Sequence, residues 1–166
     1  MNLATSTHSQ STASGNEMNN VVVRSYTPVG AVSGINYASA TVEAREGLVP
    51  GHQIANYSVR IEITTGGDYP QSGAAAVEYR NVENLLSILE KFESTNITTE
   101  RFKFTEVEYE IDGFKIIVFN NDRGTVMVAL SVGAVTIHFG SLSSIRELRS
   151  LLERAQEHLK QHGARD

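Results

Sequence analysis

The sequence predicts an α+β fold of antiparallel meander sheets, arranged as two four-stranded units each followed by one amphipathic helix. Three observations predict it. After Asn20 the chain becomes a series of short β-branched and aromatic runs separated by turn residues. Two stretches with apolar residues at helical spacing each follow such a series. In the second half, three successive turns imply strand pairings that agree on one apolar face.

The bulk properties bound the problem. A chain of 166 residues with 20% charged residues and a formal charge of −5 fits one acidic soluble domain. The absence of cysteine excludes disulfides, thiolate nucleophiles and cysteine-ligated zinc or iron–sulfur sites. No run approaches the roughly eighteen consecutive apolar residues of a membrane-spanning helix, so no membrane association is expected. Residues 1–20 are mostly Ser, Thr and Asn, with Leu3 and Met18 the only sizeable apolar side chains beyond the initiator. They cannot offset their ordering entropy by burial and are expected to be a disordered tail before one domain over 21–166. The tail has neither a basic nor an apolar leader region. A cytoplasmic chain is expected, with an exported mature chain as the open alternative.

The elements follow in order. Residues 21–26 read as a first strand, interrupted over 28–34 by Pro28, Gly30 and Gly34. Residues 35–45 and 54–64 should form a hairpin about Pro50-Gly51, a pair suited to the central positions of a type II turn. Residues 66–70 are a loop by composition, and 74–79 a fourth strand. Val82, Leu85, Leu89 and Phe92 then lie on one helical stripe, widened by Leu86 and Ile88, with Asn81 a plausible N-cap.

In the second half, Asp112-Gly113 is the strongest hairpin signal. A two-residue turn there pairs Ile111 with Phe114, Tyr109 with Ile116 and Val107 with Val118 on one face, and Glu110 with Lys115 on the other. A loop over 120–124 would set Val118 against Val126 and Ile116 against Val128, keeping the apolar face continuous. Gly133-Ala134, read as a type II′ turn, pairs Val132 with Val135, Leu130 with Ile137 and Val128 with Phe139. A closing helix is expected from about Ser144, spaced from Glu147 as a capping box, with the stripe Ile145, Leu148, Leu152, Ala155, Leu159 and Gly163 as C′ residue.

Aligning residues 77–82 with 137–142 brings two strand ends and two helix starts into register and matches Leu85 with Ile145, Ile88 with Leu148 and Phe92 with Leu152. This points to an internal repeat of 21–94 and 101–161, with chance similarity of two amphipathic helices as the competing explanation. The stretch 79–86, the glycine-turn meander and the ending 142–149 together resemble a group of uncharacterised bacterial proteins, a resemblance that implies no activity. The order of four strands plus a helix, twice, is similar to the Whirly-type single-strand nucleic-acid binders. That resemblance implies a tetramer with single strands lying along sheet edges, though no Whirly signature motif stands in the chain and fold analogy is a weak warrant for function.

The chemistry-bearing motifs are few. Dinucleotide, P-loop, nucleophile-elbow and zincin patterns do not occur. His158 and His162 are four apart on the closing helix, a spacing that could hold a metal, but no third ligand stands with them and they read as exposed residues suited to the helix C-terminus. Glu106, Glu108, Glu110 and Asp112 form an acidic row that reads as a solvated strand face. His138 has no carboxylate or nucleophile at a readable spacing. No catalytic, cofactor or metal residue is therefore expected.

The feature that calls for explanation is an outward apolar patch of Ile117, Phe119, Met127 and Ala129, with Ile117 opposite Met127, beside the acidic row. Either the first half of the chain covers it, or another subunit or a hydrophobic ligand does. The leading expectation is a non-enzymatic interaction module that forms a homo-oligomer or binds a protein partner through these four residues. Nucleic acid is not the expected partner, since Arg146, Arg149, Arg154, Lys160 and Arg165 are interleaved with acids and read as a solvated helix face. Single-strand nucleic-acid binding is the second reading, by architecture, and an enzyme with catalytic residues converging from distant positions is the third.

Overall fold

The computed structural model describes residues 21–51, 55–94 and 102–165, so the expected N-terminal tail lies outside the described residues. Four strands, β1 (Val23–Ser33), β2 (Ser39–Leu48), β3 (Ala55–Thr64) and β4 (Ser72–Glu78), precede helix α1 (Tyr79–Ser94). Four more, β5 (Glu106–Ile111), β6 (Phe114–Asn120), β7 (Val126–Val132) and β8 (Val135–Phe139), precede helix α2 (Ser143–Gln161). Each set forms its own antiparallel sheet in sequential order. The fold is the expected α+β arrangement of two similar units.

Alternation decides which face of each strand is buried. In sheet one, Ala40, Val42, Ala44, Val59, Ile61, Ile63 and Val77 point inward; in sheet two, Phe114, Ile116, Val118, Val128, Leu130, Ile137 and Phe139 do so. The stripes of α1 and α2 close on them, with Leu85, Leu89, Ile145, Leu148 and Leu152 fully buried. All of these belong to one core cluster. The helices pack on each other; α2 also crosses β1 and β2, and α1 lies on β3, β4 and β5.

Both tight turns of sheet two have the expected register. Asp112 and Gly113 take positive φ of 49° and 78°, as a type I′ turn requires, and the pairs Ile111 with Phe114, Tyr109 with Ile116 and Glu110 with Lys115 follow. Val132 pairs with Val135 and Leu130 with Ile137 about Gly133. In sheet one, Gly51 has a φ of 86°, consistent with the type II turn, though Ile54 lies outside the described residues.

Five expectations are corrected. The loop between β6 and β7 sits one residue later, over 121–125, so Val118 meets Val128 rather than Val126, and Ile116 meets Leu130. The Asn121 side chain sets this turn, its Oδ1 accepting from the N–H groups of Arg123 and Thr125 at 3.0 and 2.9 Å. The inward face survives because the pairing moves by two residues, one full strand period. In sheet one, β1 runs on through Pro28, where a register shift before Gly30 absorbs it; an edge strand tolerates a residue without an N–H. Residues 35–37 form a short 3-10 turn, and β2 begins only at Ser39.

The helix starts differ as well. Asn81 lies inside α1 and does not cap it. Leu142 precedes α2 with no side-chain cap, and Ser144 forms no capping box. The C-terminus is as expected: the N–H groups of Gly163 and Ala164 bond to the carbonyls of Lys160 and Leu159 at 3.2 and 3.0 Å, a Schellman pair.

Candidate functional site

The pairings of sheet two arrange its outer face in three cross-strand rows. Glu106, Phe119 and Met127 form one; Glu108, Ile117, Ala129 and His138 the next; Glu110, Lys115, Ser131 and Thr136 the last. Phe119 is thus the residue opposite Met127, and Ile117 stands opposite Ala129, which corrects the expected pairing but keeps the four residues adjacent. None of Ile117, Phe119, Met127 and Ala129 belongs to the core shared by the sheets and helices. Ile117, Phe119 and Met127 are half-buried, while Ala129 is only 2% exposed because its short side chain is flanked by Ile117 and His138. The exposed His138 ring meets Phe119 edge-on, with centroids 6.1 Å apart and planes at 84°.

The patch continues into the chain that leads to β5. Phe104 is 58% exposed and, with Thr105, Glu106, Phe119, Asn120 and Asn121, frames a shallow cleft of about 540 Å³. The Asn120 side chain builds its wall: Oδ1 accepts from the Thr105 N–H at 2.6 Å, and Nδ2 donates to the Lys103 carbonyl at 2.8 Å. Both polar ends of that side chain are therefore engaged within the protein. The charge at the lip is Glu106, whose side chain makes no ion pair or hydrogen bond among the described residues.

The neighbouring carboxylates are answered. Lys115 Nζ lies 3.6 Å from Glu108 and 3.4 Å from Glu110, and these two, Glu108 first, hold its pKa above the ordinary lysine value. Asp112 leaves the acidic row altogether. Its Oδ2 accepts from the Glu78 N–H and from Asn81 Nδ2, both at 2.9 Å, where the hairpin of sheet two touches the start of α1.

The remaining sequence candidates are placed apart from the patch, His138 excepted. His158 and His162 stack with centroids 4.3 Å apart, and His162 Nδ1 is hydrogen-bonded to the His158 carbonyl at 2.8 Å, which commits that nitrogen as a donor. Among the described residues no group of three or more histidines, aspartates or glutamates converges as a metal would need. The arginines of α2 lie on an exposed face, Arg149 alone of them being half-buried, and they are engaged there: Arg149 and Arg146 lie 2.8 and 3.4 Å from Glu93 of α1, joining the two helices, and Arg154 donates to the Val29 carbonyl at 3.1 Å. The cleft beside Phe119 was missed by sequence reasoning, although two phenylalanines flanking Lys103 outside any strand were a readable signal.

Compared with known proteins, the chain matches no family model, no curated protein and no solved structure. Among the described residues no helix is long and apolar enough to cross a membrane.

Proposed function

We propose that the protein is a non-enzymatic interaction module that binds an apolar, basic partner segment on the outer face of sheet two, through Ile117, Phe119 and Met127, with the buried Ala129 beneath them as support, and through the cleft between Phe104 and Phe119. The observation that carries this reading is an apolar surface lying outside the core and bordered by carboxylates, of which Glu106 is unanswered. Apolar contact would supply affinity, and the acidic border would select for cationic side chains and speed encounter. The edge position of β5 suits an extended segment, whose main chain can pair with the strand.

Fluorescence anisotropy with a labelled peptide alternating arginine and valine tests this. Binding is expected to weaken with salt, and to be lost in Phe119→Asp and Glu106→Arg proteins whose circular dichroism is unchanged. Equal binding of a peptide alternating glutamate and valine would refute the reading.

Single-strand nucleic-acid binding is the second reading. It is supported by the order of elements and by Arg45 lying 5.5 Å over the exposed Tyr26 ring, an arrangement on which a base could stack. Against it, Arg45 and Arg60 are already paired with Glu43 and Glu62. A gel shift with labelled oligonucleotides at low salt separates the two, and no retardation disposes of this one.

A further inference from the structure

Each sheet has two outer strands, and the molecule itself closes one of each pair. In sheet one, β4 is held against sheet two, where a Cβ on Gly73 would lie 2.8 Å from the Val132 carbonyl oxygen. In sheet two, β8 is backed by the turn after β1, where a Cβ on Gly34 would lie 2.8 Å from the His138 carbonyl oxygen. The other two, β1 and β5, have no described strand beyond them.

These open edges are complementary. Residues 21–33 contain no acid and one arginine, Arg24, and Val21, Val22, Val23 and Tyr26 are about half exposed or more. β5 carries Glu106, Glu108 and Glu110 and no base. Edge strands usually carry charges or prolines that discourage pairing; β5 does so with carboxylates, whereas β1 is guarded only from Pro28 onward. The free part of β1, residues 23–27, together with the two residues before it, therefore has about the length of β5, which has 6 residues.

We propose that the free end of β1 in one copy adds to the β5 edge of a second copy. This rests on the reading above, that the acidic and apolar side of sheet two is a contact surface, and names its occupant. Val23 shares the face of Ala44, and Arg24 and Tyr26 the opposite one. An antiparallel register with Arg24 opposite Glu108 sets Tyr26 opposite Glu106, beside the Phe104 and Phe119 cleft, and Val23 opposite Tyr109 on the inner face. On the outer side the Arg24 cation meets the Glu108 carboxylate, and on the inner side Val23 meets the Tyr109 ring. The contact joins different surfaces of the two copies, so it closes a dimer only where a two-fold axis pairs both edges at once, and otherwise generates a larger ring or an open chain.

Sedimentation velocity on the full chain tests the proposal. Mass is expected to rise with concentration and to fall with added salt, and Arg24→Glu and Glu108→Arg are each expected to weaken association by about tenfold. Mixing the two variants restores it, because each then presents a complementary edge to the other. A chain that stays monomeric at about 1 mM, or that associates without regard to either charge, overturns the proposal. Should the arginine–valine peptide still bind that monomer, the contact surface stands and only its occupant is wrong. Should neither occur, both readings fail.

Discussion

Replacing Asp112 tests whether the hairpin of sheet two caps the first helix. Its carboxylate receives the Glu78 N–H, the group that an N3 glutamate accepts in a capping box, and Asn81 Nδ2, both at 2.9 Å. Losing such an acceptor is worth about 1 kcal/mol. Asp112 also has a φ of 49°, where an alanine adds roughly 1 kcal/mol of backbone strain and a glycine none. Asp112→Ala should therefore cost about 2 kcal/mol and Asp112→Gly about 1 kcal/mol. Asp112→Asn keeps an acceptor and tolerates the left-handed region, losing only about 0.5 kcal/mol of charge–dipole attraction. In thermal unfolding followed by circular dichroism, at about 3 °C per kcal/mol for a domain of this size, the expected drops are about 6, 3 and 1–2 °C. A glycine variant as stable as the parent would show that no cap is made. Equal losses for alanine and glycine would show that the turn does not demand the left-handed conformation.

Other substitutions probe packing and titration. Gly73→Ala should cost about 1–3 kcal/mol in urea unfolding, because its Cβ would meet the Val132 carbonyl oxygen at 2.8 Å, while Gly140→Ala, with nothing within 4 Å, should be near neutral. Phe114 is fully buried, so Phe114→Ala should cost about 3–5 kcal/mol, whereas Phe119→Asp on the outer face should leave the cooperative unfolding transition in place. Loss of that transition in the Phe119 variant would make the outer face part of the core. Tyr57 donates its hydroxyl to the His162 carbonyl at 2.9 Å or to Glu46 at 3.3 Å, and its pKa is raised above 10.0, first by burial and then by Glu46. The folded state holds that proton more tightly than the unfolded one, so this stabilisation is fully present below pH 10 and fades as pH rises through the higher folded value. Tyr57→Phe should accordingly show a shallower loss of stability above pH 10 than the parent, and identical alkaline profiles would contradict the assignment.

What the chain determined by itself was what short-range chemistry controls. Asp112-Gly113 and Gly133-Ala134 set their turns because few residue pairs suit those backbone angles, and period-two alternation from Val107 to Phe139 then assigned every side chain to a face. Helix stripes were readable for the same reason, since three or four residues of spacing suffice to define them. The tertiary structure decided where polar groups find their partners. Asp112 leaves its acidic row to hold a backbone N–H 34 residues away, Arg149 crosses to Glu93 56 residues away, and Phe104 lies beside Phe119 where Asn120 holds the incoming chain. Such partners satisfy hydrogen bonds and charge, not periodicity, and many geometries can do so. Which one occurs depends on how the two sheets and their helices close around a common core.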